Sequence, residues 1–206
     1  MIYELRTYSI KPTTLPEVLK RFEEGYEHRK KYGEMLAFWY TEIGPLNQII
    51  HLWPYQDLAE RTRIRAEASK DPNWPPKIQE YLVKMDSEIY VPFPFSPEPT
   101  PGEYGRFYEM RSYFVKADGG MAGTMSRWEP KIPGRMALSP LLLVAHTEIG
   151  PLNKYMHIWP YQSLDQRMDI RKEAMEKDIW PPGGGAETLV SQENKIMIPA
   201  PFSPMR

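Results

Sequence analysis

Apolar and polar side chains alternate over Ile2 to Ile10, which predicts a half-buried strand with Ile2, Glu4, Arg6 and Tyr8 on one face and Tyr3, Leu5 and Thr7 on the other. From Thr14 the period becomes that of a helix. Leu15, Val18, Leu19, Phe22 and Tyr26 form one stripe, and Thr14 with Glu17 has capping-box spacing. Met35 to Ile43 and Gln48 to Tyr55 are apolar and aromatic runs joined through Gly44-Pro45-Leu46-Asn47, a β-hairpin pattern. Leu58 to Lys70 reads as a charge-rich helix stopped by Asp71-Pro72, Ile78 to Met85 as a shorter helical stretch, and Glu88 to Val91 as a last strand. The order is β-α-β-β-α-β.

The chain then says the same thing again. Thr41-Glu-Ile-Gly-Pro-Leu-Asn47 returns as Thr147 to Asn153, and His51-Leu-Trp-Pro-Tyr-Gln56 returns as His157-Ile-Trp-Pro-Tyr-Gln162, both displaced by 106 positions. The first strand returns as Phe107 to Tyr113, and Trp74-Pro-Pro76 as Trp180-Pro-Pro182. A repeat of this length predicts two domains, residues 1–98 and 99–206, joined through the proline-rich, extended segment Pro92 to Gly102. The weak point of the second copy is Ala117 to Arg135, where glycines and prolines leave room for a short helix around Met121, Met125 and Trp128.

A β-α-β-β-α-β order is that of the ferredoxin-like sandwich, with its first and third strands central and both helices on one sheet face. The other face is bare, and two copies in one chain can cover both by closing bare face on bare face. The fold class is therefore α+β: two tandem ferredoxin-like domains forming an intramolecular dimeric α/β barrel. The purely apolar strand sets, such as Leu5, Ile50 and Leu52, are expected to meet the helices.

The Tyr-Glu-Leu-Arg-Thr-Tyr strand, the Glu-Ile-Gly-Pro-Leu-Asn hairpin, the His-x-Trp-Pro-Tyr strand and the aromatic-proline segment before the last strand together resemble the NIPSNAP family of the dimeric α/β-barrel superfamily. The likeness covers both halves. It implies a ferredoxin-like unit for each copy and a barrel of paired units, and it implies no defined reaction. Relatives in the wider superfamily include cofactor-free monooxygenases and haem enzymes, an analogy of fold alone.

Composition narrows the partners. Twenty-six Lys and Arg against 27 Asp and Glu leave a formal charge of −1 with both signs scattered along the 206 residues, which argues against nucleic acid. The chain has no cysteine, so disulfides, thiol catalysis and thiolate metal sites are excluded. No stretch approaches a membrane span and no leader pattern opens the chain, so a soluble, cytoplasmic protein is expected, without membrane partners and prone to self-association.

Candidate chemistry lies on the strands. Alternation puts Ile49, His51 and Trp53 on one face of the third strand, and Tyr155, His157 and Trp159 on one face of its counterpart. Glu4, Arg6 and Tyr8 should share the first of these faces, and Glu109, Arg111 and Tyr113 the second, so the barrel interior is expected to be lined twice by one polar set. Structurally, the Glu–Arg pairs are buried salt bridges and each His satisfies a carboxylate or carbonyl. Functionally, His51 or His157 is a base, Arg6 or Arg111 steadies developing negative charge with Glu4 or Glu109 beside it, and Trp53, Trp159, Tyr8 and Tyr113 hold a flat or anionic molecule.

On the second helix Arg61 and Arg65 recur as Arg167 and Arg171, at i, i+4; Arg65 and Arg171 are candidate ligand contacts, and the alternative is a solvated face. Trp74 and Trp180 read as packing lids. Metal-ligand spacing, nucleotide motifs and a phosphate-cradling glycine loop are absent, Gly183-Gly184-Gly185 reading as a loop, so neither metal nor tightly bound cofactor is expected. Two classes stay open: a small-molecule binder, as a cofactor-independent oxidoreductase or isomerase in its enzymatic form, or a non-enzymatic scaffold and interaction module.

Overall fold

In a computed structural model describing residues 1–206, β1 (Ile2–Ile10) pairs antiparallel with β3 (Gln48–Tyr55) on one side and with β4 (Leu82–Pro92) on the other. β2 (Ala37–Ile43) pairs with β3, so the first half has the order β4-β1-β3-β2. β5 (Phe107–Val115), β6 (Leu143–Ile149), β7 (Lys154–Tyr161) and β8 (Leu189–Pro199) repeat it as β8-β5-β7-β6. The edge strands then find each other. β2 pairs with β8 and β4 with β6, both antiparallel, which closes an eight-stranded barrel and leaves no sheet edge unpaired.

Outside the strands lie α1 (Leu15–Arg29) and α2 (Leu58–Ala68) on the first half, and α3 (Gly120–Trp128), α4 (Ile132–Met136) and α5 (Leu164–Glu176) on the second. The short helix expected around Met121, Met125 and Trp128 is α3. The repeated hairpin block is turn chemistry: Gly44 (φ 110°) and Asn47 (φ 56°), like Gly150 and Asn153, sit at positive φ, which glycine and asparagine tolerate best. A Cβ on Gly44 would also lie 3.1 Å from the Asn194 carbonyl across the β2–β8 seam.

Three expectations are corrected. Thr14 does not cap α1; its hydroxyl donates instead to the Lys11 carbonyl at 2.7 Å. The stretch Ile78 to Met85 is one helical turn, Gln79–Tyr81, followed directly by β4, because Leu82 and Met85 pair with Ile10 and Tyr8 of β1.

The third correction concerns which way the faces point. Leu5, Ile50 and Leu52 do not meet the helices. They pack with Met110, Met156 and Ile158 of the other half in one buried core that fills the barrel, with Tyr3, Trp39, Tyr90 and Tyr108 among its members. The helix residues Val18, Phe22 and Tyr26 pack instead against Tyr8, Ile49 and Trp53. The alternation is as expected, but the polar sets Glu4, Arg6, His51, Trp53 and Glu109, Arg111, His157, Trp159 lie beneath the helices and not inside the barrel. The physical reason is closure: an eight-stranded barrel is just wide enough to be filled by side chains, and a charge on an inward face has to be paired, as Glu88 is with Lys154. The gap between sheet and helices, in contrast, opens at its rim.

Candidate functional site

Each half builds the same cluster around one buried carboxylate. Glu4 on β1 is fully buried, and Arg61 of α2 reaches down to clamp it with two bonds, Nε to Oε2 at 3.0 Å and Nη2 to Oε1 at 2.7 Å. Arg6 donates to Oε1 at 2.6 Å, the Ser87 hydroxyl also donates to Oε1 at 2.7 Å, and Arg65 stands 3.7 Å from Oε2. Burial alone would raise the Glu4 pKa, but the bonds from Arg61 and Ser87 and the charges of Arg6 and Arg65 override it and hold it at about 2. In the second half Glu109 accepts from Arg167 at 2.6 Å and Arg111 at 2.9 Å, and its pKa is likewise lowered against the opposing effect of burial. Arg61 and Arg167 are therefore no solvated face, while Arg65 stays exposed beside its cluster and Arg171 makes no ion pair. The strand set and the helix set, separate in the sequence, form one site.

The histidines sit beside these clusters. The Trp53 indole Nε1 donates to His51 Nδ1 at 2.5 Å, and Trp159 does the same to His157. An accepting Nδ1 places the ring proton on Nε2, and neither Nε2 has a hydrogen-bond partner in the chain. Burial is the main cause that depresses both histidines, with Arg6 or Arg111 adding to it; His51 lies well below its usual value and His157 at about 3. Each ring is thus neutral at neutral pH with its proton on a buried, unpartnered Nε2, the reverse of what a base requires. The expectation that each His answers a carboxylate or carbonyl is likewise corrected: its partner is the indole two residues on, which strand alternation brings to the same face.

Above the rings a cavity opens in each half. The first, about 260 Å³, is walled by Arg6, Tyr8, His51, Trp53, Arg65 and Arg29, with Trp74-Pro75-Pro76 along its edge. The second, about 450 Å³, is walled by Arg111, Tyr113, Arg171, Arg135, Arg127 and Trp128, with Trp180 and the glycine loop at its mouth. Neither wall contains an acidic side chain. Glu4 and Glu109 lie behind the walls, and so do His157 and Trp159, so the two sites are not equivalent.

Arg29 and Arg135 escaped the sequence reading. Both are buried, at 3% exposure, and neither has a carboxylate partner. Arg29 donates to the Gly33 carbonyl and the Tyr55 hydroxyl and stacks 4.4 Å from the Trp53 ring centre; Arg135 does the same with Ser139, Tyr161 and Trp159, at 4.1 Å. Desolvation lowers the pKa of each. The signal that would have found them is their separation, the same 106 positions as the repeated blocks.

The NIPSNAP family model matches this chain twice, over residues 3–97 and 108–204. NipSnap homolog 3A of Homo sapiens is 29% identical over 217 residues, spanning 100% of this chain and 86% of that protein; NipSnap homolog 3B of Mus musculus is 30% identical over 212 residues, spanning 99% and 85%. A putative monooxygenase from Lactobacillus acidophilus has the same fold, with a TM-score of 0.68 over 97% of this chain and 93% of its own at 11% identity. With both repeats matched and the barrel they imply in place, the chain belongs to the NIPSNAP family.

Proposed function

We propose that the protein binds a small, flat organic anion in the cavity beneath the helices of each half, with the filled barrel as the scaffold that holds the two sites. The observation that carries this is the pair Arg29 and Arg135: two buried guanidiniums without carboxylate partners, each facing a cavity with no acidic wall residue. Burying a cation without an opposite charge is costly, and an anionic ligand is what would offset it. Aromatic rings and prolines around the arginines suit a planar ligand body.

In this reading Arg65 and Arg171 contact the ligand's negative group, while Glu4 and Glu109 position arginines without touching the ligand. Trp53 and Trp159 orient the histidines. Any reaction that proceeds there draws on fixed positive charge and a hydrogen-bond donor, the elements that stabilise an oxyanion or enolate.

Titration calorimetry with benzoate and its neutral counterpart benzyl alcohol tests the proposal. Benzoate should bind and benzyl alcohol should not, and Arg65→Gln with Arg171→Gln should weaken benzoate at least about tenfold, the usual cost of a lost charge-assisted bond. Equal behaviour of the two compounds, or benzoate binding indifferent to the double variant, would sink it.

A further inference from the structure

We infer that the cavity of the second half is a site for a phosphomonoester, a small aromatic-bodied ligand bearing a doubly charged group, whereas the first takes a single negative charge. This rests on reading both cavities as anion sites and adds a chemical class to one of them. It follows from one arginine that the repeat treats in two ways. Arg21 of α1 and Arg127 of α3 are 106 positions apart and correspond. Arg21 is consumed by carboxylates: Nε donates to Glu17 at 2.7 Å and Nη1 to Glu80 at 2.9 Å, with Nη2 on the Tyr81 hydroxyl. It takes no part in the wall of the first cavity.

In the second half Gly123 stands where Glu17 does, and Thr188 precedes Leu189 as Tyr81 precedes Leu82. Arg127 keeps one neutral partner, the Thr188 hydroxyl at 3.1 Å, and turns into the cavity wall. A Cβ on Gly123 would lie 2.9 Å from Arg127 Nη1, so the guanidinium occupies space that any side chain there would contest. Arg171 makes no ion pair, unlike its counterpart Arg65, which stands 3.7 Å from Glu4. Three guanidiniums without carboxylate partners, Arg127, Arg135 and Arg171, therefore face the second cavity, against Arg29 alone in the first.

Excess charge on this scale matches a dianion, and planar forked donors match phosphate oxygens. The wall adds a further element. Gly183 and Gly184 line it, and their backbone N–H groups donate to no backbone acceptor in the chain. The loop read in the sequence as no phosphate cradle is a loop, but it borders an arginine-lined cavity. Trp128 and Trp180, ring centres 4.5 Å apart, offer the ester's organic part an apolar wall.

The test is calorimetric titration at pH 7.5 with phenyl phosphate, methyl phenyl phosphate, inorganic phosphate and benzoate. Phenyl phosphate should bind at one site per chain at least about tenfold more tightly than benzoate or the singly charged methyl ester, the margin of one added charge-assisted bond. Inorganic phosphate should be weaker than phenyl phosphate. Arg127→Gln should erase the advantage, and so should Gly123→Glu, which restores the carboxylate of the first half; neither should change benzoate binding in the first cavity. Unfolding midpoints check that each variant folds, and because Arg127 is only half-buried, Arg127→Gln suffices if Gly123→Glu is damaged.

Phenyl phosphate no tighter than benzoate, or indifferent to Arg127→Gln, overturns the inference and leaves the anion reading standing. Inorganic phosphate equal to phenyl phosphate overturns the organic ligand. Failure of every anion to bind overturns both readings.

Discussion

Glu4 shows at the scale of one residue how the site is wired to stability. Its pKa is held at about 2 against an ordinary 4.5, so the unfolded chain binds its proton more readily. The stabilisation it brings is present above pH 4.5 and is lost as pH falls toward 2. The shift corresponds to about 3 kcal/mol, and Glu4→Gln should cost about that much at pH 7 by urea unfolding. The buried histidines act at milder pH. Each is depressed from 6.5, so each contributes full stability above that value and progressively less below it. Between pH 6.5 and 5 the two together should make stability fall by roughly 1.4 kcal/mol per pH unit apiece. His157→Asn offers Trp159 an amide oxygen without a titrating ring, and should halve that slope; an unchanged slope would mean that the rings are not held neutral. Which residues gather into the two buried clusters was largely legible: Glu4, Arg6, His51 and their counterparts were singled out by alternation and repetition alone. The role of each His was not, because a tautomer depends on a partner that only the rotamers reveal.

At the scale of elements, α2 and α5 exist to deliver arginines more than to bury apolar surface. Ala68 is the one buried residue of α2. Its start is well defined, since Asp57 accepts from the Glu60 amide at 2.8 Å and Glu60 accepts in turn from the Gln56 amide; Ser163 and Gln166 repeat the device on α5. Asp57→Ala should therefore cost about 1 kcal/mol in chemical denaturation, and it should loosen benzoate binding in the first cavity, because Arg61 and Arg65 follow directly in that helix. Loss of stability with untouched binding would show the cap to be independent of the site. The sequence favoured a cap at Thr14, where spacing alone was right, and passed over the real ones. Spacing states that a side chain could reach an amide; whether it does depends on backbone angles at the cap, and Thr14 already lies in the helical region.

For the whole molecule, the two seams of the barrel differ in charge. Across the β4–β6 seam Glu88 of β4 holds Lys154 of β7 at 2.8 Å, while across the β2–β8 seam Lys195 of β8 donates to Gln48 of β3. Lys195 corresponds to Glu88 and Lys154 to Gln48, so a pairing of second halves with one another would bring Lys195 against Lys154. Pairing of a first half with a second half is thereby favoured over pairing of second halves with one another. Glu88→Lys should place like charges in a largely buried seam and lower stability by about 3 kcal/mol in urea unfolding.

Repetition, period and turn chemistry were local or translational patterns, and from them the sequence determined two ferredoxin-like units, most of their element bounds, and the residue sets that share each strand face. It could not decide which face looks inward. Alternation is symmetric under exchange of the two faces, and the choice is made by packing: closure leaves an interior that the apolar set fills, with Glu88 and Lys154 present as a pair, while the Glu4 and Glu109 sets need arginines arriving from α2 and α5. The tertiary structure alone also assembled strand and helix arginines around one carboxylate, left Arg29 and Arg135 without an opposite charge, and released Arg127 where Arg21 is tied. Charges from distant parts of the chain meet or miss one another only after the barrel has closed.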